Sequence, residues 1–162
     1  ISDELRWQVL QSLATQGDVT EAELAAALAD DPSASGRIAH LRAHYSRPEA
    51  HLKQEAWRRI HVVAGETNEA VDALLAAVFA QGDSPLADEF AVPYFENLRQ
   101  VWQEHQIEIA RRLVILGYPR NPAHLPRSEE SLTANQDAPP ALRRLVLEAD
   151  AELRIADRVR RA

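Results

Sequence analysis

Cysteine is absent from the 162 residues. That excludes disulfide frameworks, thiol nucleophiles and thiolate metal sites together, and it fits a reducing, cytoplasmic compartment. Methionine is absent too, so Ile1 is not a translation start and the chain reads as a piece of a larger protein. No apolar run approaches the roughly 20 residues that span a bilayer, and the opening Ser2-Asp3-Glu4 lacks the basic stretch of a signal peptide. The expectation is a soluble chain with no membrane partner. A basic excess is missing as well. Lys and Arg number 18 against 25 Asp and Glu, a net charge of −7, so nothing domain-wide neutralises phosphates and no nucleic-acid partner is expected. Glycine is scarce at five, and no strand-like alternation of apolar and polar residues appears anywhere.

What is present favours helix. Apolar residues make up 46% and charged residues 27% of an 18.1 kDa chain. A chain of this size buries about two-thirds of its extended surface, enough for one core. Ser2 caps a first helix that carries Leu5, Val9, Leu10 and Leu13 on one stripe and stops at Gly17. Thr20 and Glu23 have capping-box spacing and launch a second, short helix with Leu24 and Leu28. Asp31 and Pro32 supply the cap and first position of a third, with Ala34, Ile38, Leu41 and Tyr45 inward and Gly36 weakening its first turn by up to about 1 kcal/mol.

Pro48 opens a fourth helix with Leu52, Ala56, Ile60 and Val63 three or four apart, ended by Gly65. The fifth has Val71, Leu74, Leu75, Val78 and Phe79 at i, i+3, i+4, i+7 and i+8 between Thr67 and Gly82. Ser84 and Pro85 start a sixth that Pro93 kinks or ends near Val92. The longest element is expected from residue 94 or 98 to 116, with Val101, Trp102, His105, Ile109, Leu113 and Leu116 inward and Gly117 as its stop. Across residues 118–138, Pro119, Pro122 and Pro126 forbid a continuous helix, and Ser128 caps at most a short turn. Asp137, Pro139 and Pro140 launch a last helix on Leu142, Leu145, Val146, Ala149, Leu153 and Ala156, ending in Arg158, Arg160 and Arg161.

About eight helices joined by short connections pack as antiparallel neighbours. The expected fold is all-α, an α-α superhelix resembling a HEAT array, with residues 1–162 as a single helical domain. No strict internal repeat supports a tetratricopeptide or ankyrin reading.

Chemistry is harder to find. None of the six His is followed by Glu, so the H-E-x-x-H helix of zinc peptidases is missing. His40 and His44 have i, i+4 spacing, but no third ligand is placed by sequence, and an exposed structural pair is the simpler reading. His105 sits at a core-stripe position, where a satisfied buried imidazole outweighs a general base. Glu129, Glu130 and the run from Glu21 to Glu23 fall on helix first turns, where carboxylates cap and solvate. No G-x-G-x-x-G, Walker or G-x-S-x-G sequence occurs. Lys53 is the one lysine against many arginines, and Arg clamps carboxylates through two parallel hydrogen bonds. The pairs Arg58, Arg59 and Arg111, Arg112 are therefore candidates, against the plainer expectation that they pair with Glu55, Glu104 and Glu108 on helix faces. Trp7, Trp57 and Trp102 read as inter-helix packing.

The order of segments carries more than any single residue. Leu5-Arg6-Trp7-Gln8-Val9-Leu10, then Asp31-Pro32-Ser33-Ala34-Ser35-Gly36, then Arg47-Pro48-Glu49-Ala50 leading through Lys53 to Ala56-Trp57, resembles the C-terminal helical domain of actinobacterial aminopeptidase N, in the gluzincin aminopeptidase family. Val92-Pro93-Tyr94-Phe95 with Val101-Trp102 and Glu108-Ile109-Ala110-Arg111, and the closing run from Pro139-Pro140-Ala141-Leu142 to Arg143-Arg144-Leu145, are similar to the final helices of the same domain.

The resemblance implies a zinc-dependent parent enzyme that removes N-terminal residues from peptides. Its metal, H-E-x-x-H helix, downstream Glu and G-A-M-E-N strand lie in earlier domains, and none of those motifs is in this chain. It implies a non-catalytic C-terminal portion with no metal, cofactor or catalytic residue of its own, closing over the active site and bounding the peptide chamber. The implied partners are the catalytic and other domains of the same polypeptide and the termini of peptide substrates. Family members use a basic residue of this domain to meet a substrate carboxylate, for which Arg111 and Arg112 are the candidates. The competing expectation is a free-standing HEAT-like scaffold that binds another protein along its concave face.

Overall fold

The computed structural model describes residues 1–62 and 65–162. Val63, expected on the inner stripe of the fourth helix, lies outside the described residues. The protein is an all-α helical array, with no strand among the described residues. It divides into two compact units, Ile1–Leu86 and Ala87–Ala162.

The first unit opens with α1 (Asp3–Gln16). The Ser2 hydroxyl accepts the Leu5 N–H at 3.2 Å, and Gly17 closes the helix at φ 84°, a left-handed conformation that glycine adopts without strain. Its inward face is not the expected Leu5–Val9 stripe. Trp7 and Ala14 are buried with Leu10 and Leu13 packed beside them, while Leu5 and Val9 are 49% and 48% exposed. Trp7 decides the rotation: it is the largest apolar group in the helix, and its indole N–H donates to Asp31 Oδ2 at 2.9 Å, so its burial leaves no orphaned donor. The capping box of α2 (Glu21–Asp30) forms as expected, with Thr20 and Glu23 each satisfying the other's backbone N–H.

In α3 (Ala34–Ser46) the cap is Ser33, whose hydroxyl accepts from Gly36 N at 3.0 Å. Asp31 is occupied instead as the acceptor of the Trp7 indole and the Ser33 hydroxyl. The buried positions are Gly36, Ala43, Tyr45 and Ser46, and of the expected set only Tyr45 is fully inside. Small residues win the interior because α3 touches α1, α2, α4 and α5 at once. Gly36 is required by close approach, since a Cβ there would lie 2.2 Å from the Asp31 carbonyl oxygen. Gly36→Ala is therefore expected to cost about 1–3 kcal/mol through overpacking, reversing the gain of up to about 1 kcal/mol that this exchange brings inside an open helix. A urea titration reads this as a lowered midpoint. An unchanged midpoint would mean that the turn before α3 shifts freely.

The next two helices bury Leu52, Ala56 and Ile60 in α4 (Ala50–Val62), and Val71, Leu74, Leu75 and Val78 in α5 (Asn68–Val78), with Thr67 capping α5, while Phe79, expected on the same stripe, falls just past the helix end and is only half-buried. Two side chains then define how the helices stack. Lys53 Nζ, on α4, donates to the carbonyls of Tyr45 at 2.9 Å and Ala77 at 2.6 Å. Gln81 Nε2 donates to those of Thr15 at 3.0 Å and Ser46 at 2.7 Å. The C-terminal ends of α1, α3 and α5 therefore meet, and the three run parallel in one layer, with the intervening helices returning the chain.

At the boundary, α6 (Pro85–Asp88) is a single turn. In the second unit, the expected long helix from residue 94 or 98 to 116 is three pieces: α7 (Ala91–Glu96), α8 (Leu98–Glu104) and α9 (Ile107–Leu116). Pro93 does not end a helix near Val92. It is the third residue of α7, where a missing N–H costs nothing because first-turn donors have no intrahelical partner. The break between α8 and α9 falls at His105, which leaves the core stripe, adopts φ −104° and ψ 152°, and turns its Nδ1 back to the Val101 carbonyl at 3.1 Å as a C-terminal cap. Leu116 is 42% exposed rather than inward.

Residues 118–138 are more helical than expected. A 3-10 turn (Pro122–His124) leads into α10 (Leu125–Ala134), because Pro122 and Pro126 again occupy first turns, and Ser128 is fully buried inside α10 instead of capping it. The longest element is α11 (Pro140–Arg161), at 22 residues. It buries Leu142, Leu145, Val146, Ala149 and Leu153 as expected, but Ala156 stays exposed. Asp137 pairs with Arg99 rather than capping α11. Tyr94, Phe95 and Tyr118 meet edge to face at 4.9–6.0 Å around the buried side of these helices.

Candidate functional site

The first unit carries an open groove of 760 Å³ along the α1–α3–α5 layer. The repeat of α3 puts Arg37, Ile38 and Arg42 on one wall, and the first turns of α5 put Thr67, Glu69 and Asp72 on the other. Ile38, Ala39 and Ala73 supply apolar surface between two walls of opposite charge. The groove's hydroxyls are committed elsewhere. Thr67 accepts the Ala70 N–H at 3.2 Å as the α5 cap, and Ser35 Oγ lies 3.1 Å from Ser33 Oγ. With apolar surface between charged walls, the groove is equipped to hold a side chain or a short peptide segment.

Of the sequence-derived arginines, Arg111 and Arg112 lie on α9 and Arg58 and Arg59 on α4. Arg112 Nη1 donates to the Glu108 carbonyl at 3.1 Å and lies 3.5 Å from its carboxylate, while Arg111 is exposed. Arg59 pairs with Glu66 rather than with Glu55, which accepts the Tyr45 hydroxyl at 2.9 Å instead. Arg58 is exposed. Glu129 pairs with Arg154, and Glu23 is spent on its capping box, which holds its carboxyl below the usual range through hydrogen bonds from Thr20.

His40 and His44 stack with ring centroids 5.9 Å apart, between Trp7 on one side and Tyr45 on the other. Burial above all holds both imidazoles below their ordinary range. Among the described residues no three His, Cys, Asp or Glu side chains come together to hold a metal ion. Sequence reasoning missed Lys53 and Gln81, the two side chains that tie the helix ends, and the groove itself. The one available signal was Lys53 directly after the inward Leu52, alone of its kind in the chain.

Comparison with known proteins draws these features together. The family model for the ERAP1-like C-terminal domain matches residues 1–155. This chain belongs to that family. The chain is also similar to Aminopeptidase N of Streptomyces lividans, 33% identical over 153 residues, which cover 92% of this chain and 18% of the relative. The chain thus spans less than a fifth of that relative's length. Among the described residues no helix is long and apolar enough to cross a membrane.

Proposed function

We propose that this chain is the non-catalytic C-terminal portion of a cytoplasmic zinc metallo-aminopeptidase that removes N-terminal residues from peptides, and that it works by closing over the active site and bounding the peptide chamber. The observation that carries this reading is the family match over residues 1–155 together with the likeness to 18% of an aminopeptidase N. Two features of the first unit support it. Leu5 and Val9 stand one turn apart on α1 and are 49% and 48% exposed, an apolar flank suited to packing on other domains of the same polypeptide. The groove offers apolar surface between opposite charges, as a peptide segment requires. Arg111 and Arg112 are the residues proposed to meet a substrate carboxylate, and the whole chain is proposed to act as one helical, HEAT-like domain.

Hydrolysis of aminoacyl-arylamides, with added zinc, by this chain and by the longest natural polypeptide containing it tests the proposal. Activity is expected only in the long form. Activity in neither would favour a free-standing interaction scaffold, and activity in this chain alone would overturn the non-catalytic assignment.

A further inference from the structure

The connection between α3 and α4 is held by one side chain that can only donate. Arg47 is 9% exposed, and its Nε donates to the His44 carbonyl at 3.1 Å. Its Nη2 lies 3.2 Å from His44 Nδ1. A guanidinium has no acceptor, so Nδ1 must present its lone pair and the ring must be neutral with its proton on Nε2. A second proton has no place in this arrangement, because it would set an imidazolium N–H against a guanidinium N–H and a positive charge beside a positive charge.

The residues around this contact tie it to the rest of the unit. The Ser46 carbonyl accepts from Gln81, which also holds the Thr15 carbonyl at the end of α1. Pro48 packs on the α1 cap so closely that a Cβ on Gly17 would come within 3.3 Å of its Cγ. The Tyr45 carbonyl accepts from Lys53. One ring nitrogen therefore borders the junction where α1, α3 and α5 end.

We propose that His44 and Arg47 form a proton-operated latch, closed while His44 is neutral and opened when it is protonated, which loosens the α3–α4 connection in acid. The charges acting on the ring are Arg47, Glu21 of α2, His40 of α3 and Glu55 of α4, in that order. Arg47 and His40 oppose protonation and the two carboxylates favour it. Among the described residues α1 and α5 contribute no charge that acts on it. The stacked ring of His40, 5.9 Å away, makes a second proton on the pair harder still. Burial lowers the affinity of both rings for protons in the folded state. The sign follows: the unfolded chain takes up protons first, so the latch's full contribution is present above the ordinary imidazole value of about 6.5 and is lost as pH falls below it.

Amide hydrogen exchange of the 162-residue chain near pH 7.5 and near pH 5.5, corrected for intrinsic rates, tests the latch. Opening of the connection at residues 46–53 is expected to rise severalfold at the lower pH, towards the limit of about tenfold that one imidazole sets across this interval, and to stay level in His44→Gln, whose amide oxygen accepts from Arg47 but does not titrate. A level wild type, or an equal rise in His44→Gln, would overturn the proposal. Should the variant not fold, the nitrogen NMR shifts of the wild-type ring decide it: at the higher pH the proton is expected on Nε2, and a proton on Nδ1 rules the latch out.

Discussion

Truncating Lys53 to alanine is expected to destabilise the first unit by about 3–5 kcal/mol, and Lys53→Met by a smaller amount, about 1–3 kcal/mol. Lys53 is fully buried, and its four-carbon stem fills space between α3, α4 and α5 as methionine would. Alanine empties that space and also removes the donor. Methionine keeps the packing and removes only the donor. Its cost comes chiefly from the Tyr45 carbonyl, since the Ala77 carbonyl keeps the Ala80 N–H at 3.2 Å. Removing a desolvated charge returns part of the loss, which is why methionine costs less than the two hydrogen bonds alone suggest. Urea unfolding of the two variants beside wild type measures both, and equal costs would mean that the amine rather than the stem carries the effect.

The same lysine sets a pH dependence with a definite sign. Burial lowers its pKa from the ordinary value to about 8. Between there and the unfolded value of about 10.4 the unfolded chain holds the extra proton, so stability rises with pH across that window, by a few kcal/mol at most. A neutral amine still has two N–H groups for the two carbonyls, so deprotonation relieves the buried charge without orphaning either acceptor. Lys53→Met removes this rise, which separates it from the titration of the tyrosines.

How far the fold is legible in the sequence depends on whether the deciding contact is local. The Thr20–Glu23 capping box and the α5 stripe from Val71 to Val78 are complete within one or two turns, and both stand as read. The prolines misled because proline forbids a helix interior but suits a first turn, and Pro93, Pro122 and Pro126 all sit in first turns. The break at His105 carries no glycine or proline to announce it. It depends on the ring turning back to the Val101 carbonyl, as His61 does to the Trp57 carbonyl in α4. The face of α1 was misjudged because the partner that draws Trp7 inward, Asp31, lies 24 residues away. The groove was invisible for the same reason: its two walls belong to α3 and α5, and only their packing brings Arg37 and Arg42 into one lining with Glu69 and Asp72.

In the second unit the largest loss is expected from Tyr118→Phe, about 2–4 kcal/mol, against about 1 kcal/mol for Tyr94→Phe. Both phenols are buried and both donate, so the difference lies in the acceptor. Tyr94 Oη donates to the Val114 carbonyl at 2.6 Å, a neutral group. Tyr118 donates to the carboxylate of Asp150 on α11, which is only 6% exposed. Burial first, and then this carboxylate, raise the Tyr118 phenol well above its ordinary range, so it remains the donor at any pH at which the protein is folded. Phenylalanine at 118 leaves a buried charge without that donor, whereas phenylalanine at 94 leaves only a neutral carbonyl in the last turn of α9. Asp150→Asn should cost less than Tyr118→Phe, because an amide oxygen still accepts from the phenol and carries no charge to strand. Urea midpoints of the three variants measure the order. A Tyr118→Phe cost no greater than that of Tyr94→Phe would mean that water reaches Asp150 and that the charge-assisted bond between α11 and the aromatic cluster contributes nothing to holding this unit together.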